Sequence, residues 1–100
     1  AHFDLWHDRA AFHFLTTEDK ISRYVALAEK TLSKDGYLVI GTFSESGPTK
    51  CSGLDIKQYS ESTMAQRFGH AFDLVKCQRD NHITPSGTIQ NFLFCSFRKK

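Results

Sequence analysis

The sequence predicts an α/β fold built on a mixed four-stranded sheet, and three observations carry that prediction. A segment with one apolar helical face lies between two strand-like runs within about 40 residues, the spacing of a right-handed βαβ crossover with parallel strands. The run Tyr37 to Phe43 is apolar at successive positions, as in a strand covered on both faces. The C-terminal third carries two apolar arms around Thr84-Pro85-Ser86-Gly87, which reads as an antiparallel hairpin.

Composition narrows the function classes. With 100 residues, 40% hydrophobic and 24% charged, the chain can close one small core and is neither disordered nor membrane-embedded. No apolar run approaches the ~20 residues that span a bilayer. Thirteen basic against eleven acidic residues leave +2, which gives no argument for nucleic acid, and Arg98-Lys99-Lys100 reads as a solvated terminus. Cys51, Cys77 and Cys95 show neither a CxxC pair nor zinc-type Cys/His spacing. No metal is expected, and reduced thiols in a cytoplasmic protein are the expectation. Ala1-His2-Phe3-Asp4 has neither the basic region nor the apolar stretch of a signal peptide. The chain starts without Met and enters a strand-like run almost at once, whereas the first residues of most domains are loose and polar. It reads as a chain that begins in the middle of a domain.

In order, Phe3 to His7 is a short strand ended by Asp8-Arg9, and Ala10 to Leu15 is an apolar connection with room for one helical turn. A helix is predicted near 17–33. Thr16 and Asp19 have capping-box spacing, Glu18 and Asp19 place negative charge in the first turn, and Ile21, Tyr24, Val25, Leu27, Ala28 and Leu32 form the apolar face. Lys30 and Lys34 sit near its end, and Gly36 is expected to supply a left-handed exit. The second strand is Tyr37–Phe43. Ser44 to Gly53 is a loop, and Leu54, Ile56 and Lys57 lead to Tyr59. Ser60 can cap a helix over 61–68 with Met64, Ala65 and Phe68 inward and Gly69 as its stop. The hairpin arms are 72–82 and 88–98. On the last arm Ile89, Leu93, Cys95 and Phe97 point one way and Phe92 and Phe94 the other, so it is an interior strand. The predicted spatial order is first, second, last, third strand, with Cys77 and Cys95 as small core residues.

This layout looks like the C-terminal half of a class I S-adenosylmethionine-dependent methyltransferase. Phe3-Asp4-Leu5-Trp6-His7-Asp8-Arg9-Ala10-Ala11-Phe12-His13-Phe14-Leu15 resembles the fourth-strand motif of a group of small bacterial methyltransferases. Leu32-Ser33-Lys34-Asp35-Gly36-Tyr37-Leu38-Val39-Ile40-Gly41-Thr42-Phe43 resembles their helix, glycine, fifth-strand segment. The loop Gly47-Pro48-Thr49-Lys50-Cys51-Ser52-Gly53-Leu54 and the final hairpin are similar too. The resemblance covers essentially the whole chain. It implies half of a Rossmann-like fold, with residues 1–100 as its substrate side. The family's Gly-rich turn and acidic ribose ligand have no counterpart: Gly36, Gly41, Gly47 and Gly53 are scattered, and those elements would lie upstream of Ala1.

In open α/β sheets ligands bind beyond the carboxyl ends of parallel strands, here His7-Asp8-Arg9 and Thr42-Phe43-Ser44. The resemblance implies that Trp6, His7 and Asp8 lie beside the methionine part of S-adenosylmethionine, with Asp8 accepting from its ammonium and Arg9 orienting a substrate anion. The alternative for Asp8 and Arg9 is a surface ion pair of little worth. His13 is the candidate catalytic residue, taking a proton from a hydroxyl, amine or thiol; its alternative is a half-buried histidine satisfied by backbone. Phe12 and Phe14 are either substrate-pocket walls or core. Cys51 is a substrate contact or loop packing, because direct methyl displacement needs no enzyme nucleophile. His2, His70 and His82 read as surface. Two functions result: a methyltransferase for an unidentified small-molecule or protein acceptor, inactive as this fragment alone, or a non-catalytic α/β assembly module. Strand 3–7 would stand on an open edge, which predicts a homodimer through strand pairing.

Overall fold

The helix predicted near 17–33 is α1, Glu18–Thr31, in the computed structural model, which describes residues 3–100. His2 lies outside the described residues. Thr17, rather than Thr16, caps α1: its Oγ1 accepts from the Lys20 N–H at 3.5 Å. The chain leaves α1 through an extended Leu32 and enters β2, Leu32–Phe43, at once. Gly36 therefore does not supply a left-handed exit; Asp35 holds the positive φ of 69° instead. Glycine is needed at 36 because a Cβ there would meet Ser33 O at 2.9 Å and Asp4 O at 3.1 Å, where β1 (Phe3–Arg9) passes.

A single 3-10 turn, Phe12–Phe14, follows β1, and β3 (Lys50–Cys51) and β4 (Leu54–Asp55) form a small hairpin after β2. Ser52 and Gly53 turn it with φ of 53° and 79°. α2, Glu61–Phe68, starts with a reciprocal cap in which Ser60 and Thr63 each bond the other's backbone N–H. β5 (Phe72–Ile83) and β6 (Ile89–Lys99) make the terminal hairpin. The sheet order is β1-β2-β6-β5, the predicted one, with β1 parallel to β2 and β6 antiparallel to both its neighbours. β6 takes the interior because it is apolar on both faces.

Both helices pack on one face of this sheet. Ile21, Val25 and Ala28 of α1 and Met64 and Phe68 of α2 close over Leu38, Ile40, Leu93 and Phe97. Each fully buried side chain of this size contributes about 1.5–3 kcal/mol of hydrophobic stabilisation. Among the described residues, the other face is covered only toward the carboxyl end of β2, where Phe43, Ile56 and Phe92 form a second cluster with the segment 44–57. Further down, Leu5 and Tyr37 are register partners and stay exposed.

Cys77 and Cys95 are cross-strand partners in β5 and β6, with Cα atoms 4.1 Å apart, and are joined as a disulfide. This corrects the expectation of reduced thiols at these two positions; Cys51 is free. Among the described residues, no helix is long and apolar enough to cross a bilayer. No group of three or more His, Cys, Asp or Glu is placed among them to hold a metal ion.

Candidate functional site

The site is read at the carboxyl ends of β1 and β2. Side chains alternate along β1, so Trp6 and Asp8 face the helices while His7 and Arg9 face the open side. Trp6, His7 and Asp8 therefore do not converge as one cofactor wall. Beyond Arg9 the chain turns sharply through Ala10, whose φ is 63°, and the Ala10 N–H donates to Gly41 O at 2.8 Å.

Asp8 holds that turn. Its Oδ1 accepts from the Ala11 N–H at 2.9 Å and the Phe12 N–H at 3.3 Å, and Tyr24 of α1 donates its hydroxyl to Oδ2. Trp6 Nε1–H in turn donates to the Tyr24 oxygen at 2.9 Å, with the two rings edge to face. Burial first, and then the bond to Asp8, hold the Tyr24 phenol well above its ordinary range, so it stays a donor. The Asp8–Arg9 ion pair considered from the sequence does not form, because the two side chains lie on opposite faces. Arg9 instead lies over aromatic rings: its guanidinium carbon is 5.3 Å from the Phe92 centroid and 5.8 Å from that of Phe94.

His13 is fully buried in the 3-10 turn. Its Nδ1 accepts from the Phe43 N–H at 3.0 Å, and its carbonyl accepts from the Lys57 N–H at 2.8 Å. It thus ties the β1 turn, the end of β2 and the strap before α2 together. Because Nδ1 is an acceptor, the proton of the neutral ring sits on Nε2, which has no partner. Burial lowers the His13 pKa from 6.5, and Asp8 opposes that only in part. A general base needs an unprotonated nitrogen within reach of substrate, and this placement offers none. Phe12 is also not a pocket wall: it is fully buried between Tyr24, Tyr59 and Phe68, at 4.7, 5.2 and 5.3 Å between centroids. Cys51 and Phe14 are half-buried and pack, with Ala10 and Phe94, against the second cluster.

Sequence reasoning missed Tyr24 as the link between Trp6 and Asp8. Its signal was a polar-tipped aromatic on the apolar face of a crossover helix, with an acid at the end of the preceding strand. It also missed Ser44 and Asn91: buried Ser44 donates its hydroxyl to Asn91 Oδ1 and its N–H to Asn91 O at 2.9 Å, which locks the end of β2 to β6. A groove of about 860 Å³ lies between α1, α2 and the strap before α2, with Val25, Glu29, Lys57, Tyr59 and Arg67 in its walls. None of the residues chosen from the sequence borders it.

No family model and no curated protein matches the chain. Solved structures do. The chain superposes on the N-methyltransferase NodS from Bradyrhizobium japonicum WM9 in complex with S-adenosylhomocysteine, with a TM-score of 0.69 and 16% identity over 98% of this chain and 46% of that one. It matches the 1,6-didemethyltoxoflavin N1-methyltransferase of Burkholderia thailandensis with a TM-score of 0.75 and 24% identity, over 100% of this chain and 45% of that one. A methyltransferase from Methanosarcina mazei gives 0.76 and 11% identity, over 97% and 59%. The chain has the fold of part of an S-adenosylmethionine-dependent methyltransferase. It spans about half the length of these structures. At such identities the likeness is one of fold, so the chemistry has to be argued from the residues themselves.

Proposed function

We propose that the chain forms the acceptor side of a methyltransferase cleft, serving methyl transfer from S-adenosylmethionine to a small-molecule or protein acceptor. In this reading residues 1–100 are the C-terminal, substrate-side half of the domain, and a second half grips most of the cofactor. The observation that supports it is the topology: two parallel strands, then a last strand slotted antiparallel between β2 and β5, shared with three methyltransferases over 97–100% of the chain.

The residues present fit one end of the cofactor. A carboxylate offers about four lone-pair sites, and three protein donors occupy those of Asp8. Asp8, at the end of β1, keeps one acceptor position for the cofactor's ammonium group, and the Trp6–Tyr24 pair holds its carboxylate in place. The bound cofactor supplies a methyl group on a sulfonium, ready for in-line displacement, so the chain's task is to place the acceptor. Arg9 orients an acceptor anion, Cys51 and Phe14 offer apolar contact, and buried His13 positions the turn rather than moving a proton. His7, on the open face, flanks Arg9. Residues 1–100 hold neither the Gly-rich turn nor the acidic ribose ligand. Taken alone, the chain is therefore inactive. A cytoplasmic location belongs to the same reading; the Cys77–Cys95 bond speaks against it, since such bonds are rare there.

Calorimetry with S-adenosylhomocysteine tests this. The isolated chain should show no micromolar binding, whereas the complete product of the gene that encodes it should bind in that range and lose about tenfold in Asp8→Ala. Micromolar binding by the isolated chain would show that no second half is needed. Absence of binding by the gene product would remove the methyltransferase reading and leave the assembly module, whose support is the exposed Phe3 and Leu5 on β1.

A further inference from the structure

Four of the five arginines find polar partners. Arg23 pairs with Asp19 at 3.3 Å, Arg67 with Glu18 through two bonds of 2.6 and 2.8 Å, and Arg98 with Asp35 at 3.0 Å. Arg79 donates to Ser46 Oγ at 3.3 Å. Arg9 has no hydrogen bond or ion pair among the described residues, although Asp8 is its chain neighbour. It is held instead by the Phe92 and Phe94 rings, which are stacked at 5.5 Å with only 14° between their planes.

The sheet register explains how. Arg9 is opposite Gly41, and Gly41 is opposite Phe94, so the three lie in one row across β1, β2 and β6. A Cβ at Gly41 would run into the Phe94 ring, so the ring occupies the space a side chain on β2 would take and reaches toward β1. The row thus places a cation on an aromatic bed with its N–H donors unused. Guanidinium donors form a planar fork that matches a carboxylate, and stacking limits the side-chain freedom lost on binding. Half-buried Ala10, Phe14, Cys51 and Phe94 pack on the cluster that holds Phe92. The acids of β5 on this face are exposed: Asp80 lies opposite Phe92 and Asp73 opposite Arg98, while the His82 and Phe92 rings stand edge to face at 6.3 Å.

We propose that Arg9, seated on the Phe92–Phe94 stack, recognises a planar aromatic carboxylate. An unpaired planar cation selects the charge, and the half-exposed Phe94 ring with its apolar rim selects a flat ring over an aliphatic one. That this ligand is the methyl acceptor rests on the methyltransferase reading; the recognition itself does not.

The test is an NMR titration of the ¹⁵N-labelled 100-residue chain, without cofactor, using 2-naphthoate, cyclohexanecarboxylate and 2-naphthamide as probes. Naphthoate should shift the Arg9 Nε–H and the Gly41 and Phe94 amides, and bind about fivefold or more tighter than either of the others. Arg9→Gln should weaken naphthoate about tenfold, Arg9→Lys should restore part of that, and Phe94→Leu should bring naphthoate down to the aliphatic acid. Equal binding of the three probes, unshifted Arg9 signals, or an Arg9→Gln variant that binds like the parent would overturn the proposal. Arg9 is exposed, so its variants fold, and they decide the matter if Phe94→Leu does not. Loss of naphthoate binding with intact S-adenosylhomocysteine binding by the gene product removes the platform alone. The reverse pattern removes the methyltransferase reading alone.

Discussion

On one face of the sheet α1 and α2 bury Leu38, Ile40, Leu93 and Phe97; on the other, Leu5 and Tyr37 face outward with about half or more of their surface exposed, at 60% and 48%. The two faces differ in where their cover comes from. The helical face is sealed by segments that follow directly from the strands, so local sequence closes it. Among the described residues, the open face is covered by the strap 44–57 and the turn after β1, which reach as far as Phe43 and Phe92. Parallel α/β sheets normally carry cover on both faces. The candidate site residues divide in the same way: Trp6, Tyr24 and Asp8 belong to the closed side, and Arg9, Phe92 and Phe94 to the open one. The residue set most committed to structure is thus on the closed side, and the one with free donors is on the open side.

Stability measurements on paired variants would break this comparison most directly. Phe68→Ala removes a fully buried ring from the helical face and should cost about 3–5 kcal/mol in urea unfolding. Tyr37→Ser on the open face should stay within about 0.5 kcal/mol. Similar losses at the two positions would mean that the open face is as packed in solution as the closed one.

The sequence made the closed side legible because its signals are periodic. The spacing from Ile21 to Ala28 set the helix face, and the alternation of Leu93, Cys95 and Phe97 against Phe92 and Phe94 set β6 in the interior. What escaped depended on rotation and register. Whether Tyr24 meets Asp8, sixteen residues away, is decided by how α1 rolls on the sheet. The Cys77–Cys95 bond follows from the hairpin register, which the four-residue turn left open by a residue or two. Thr16 and Thr17 are equally good caps by type, and only backbone geometry separates them. Arg9 at the end of β1 is legible in the sequence, but its aromatic seat requires Gly41 and Phe94 to fall in one row.

A smaller effect sharpens the account of His13 as part of the closed side. Burial lowers its pKa from 6.5 in the folded chain, so between that lowered value and 6.5 the unfolded chain binds more protons. Stability from this group is therefore complete above pH 6.5, falls as pH drops through the folded pKa, and falls no further below it. His13→Asn keeps an acceptor for the Phe43 N–H and should flatten that part of the profile, as read by urea unfolding at several pH values. An unchanged profile would show that His13 titrates like an exposed histidine. That outcome would return it to the role of a proton acceptor.

The smallest expected change in stability carries a large change in assembly. The sheet has two edges, β1 and β5. The β5 edge is lined with Asp73, Lys76, Arg79 and Asp80, charges of the kind that discourage strand addition. The β1 edge presents seven residues with Phe3 and Leu5 exposed, and its outward N–H and C=O groups meet no strand among the described residues. Pairing of β1 with its own copy about a two-fold axis satisfies those groups and buries both apolar side chains. Light scattering behind a size-exclusion column should therefore give a dimer for the 100-residue chain. Leu5→Lys sets two ammonium groups near each other across such a pairing. The side chain is already solvent-facing, so folding stability should stay within about 0.5 kcal/mol while the mass falls to that of the monomer, 11.4 kDa. A dimer that survives Leu5→Lys places the contact elsewhere, on the sheet face rather than its edge. A parent chain that is monomeric at high concentration shows the β1 edge to be quiet, and the contrast between the two sides then rests on the faces alone.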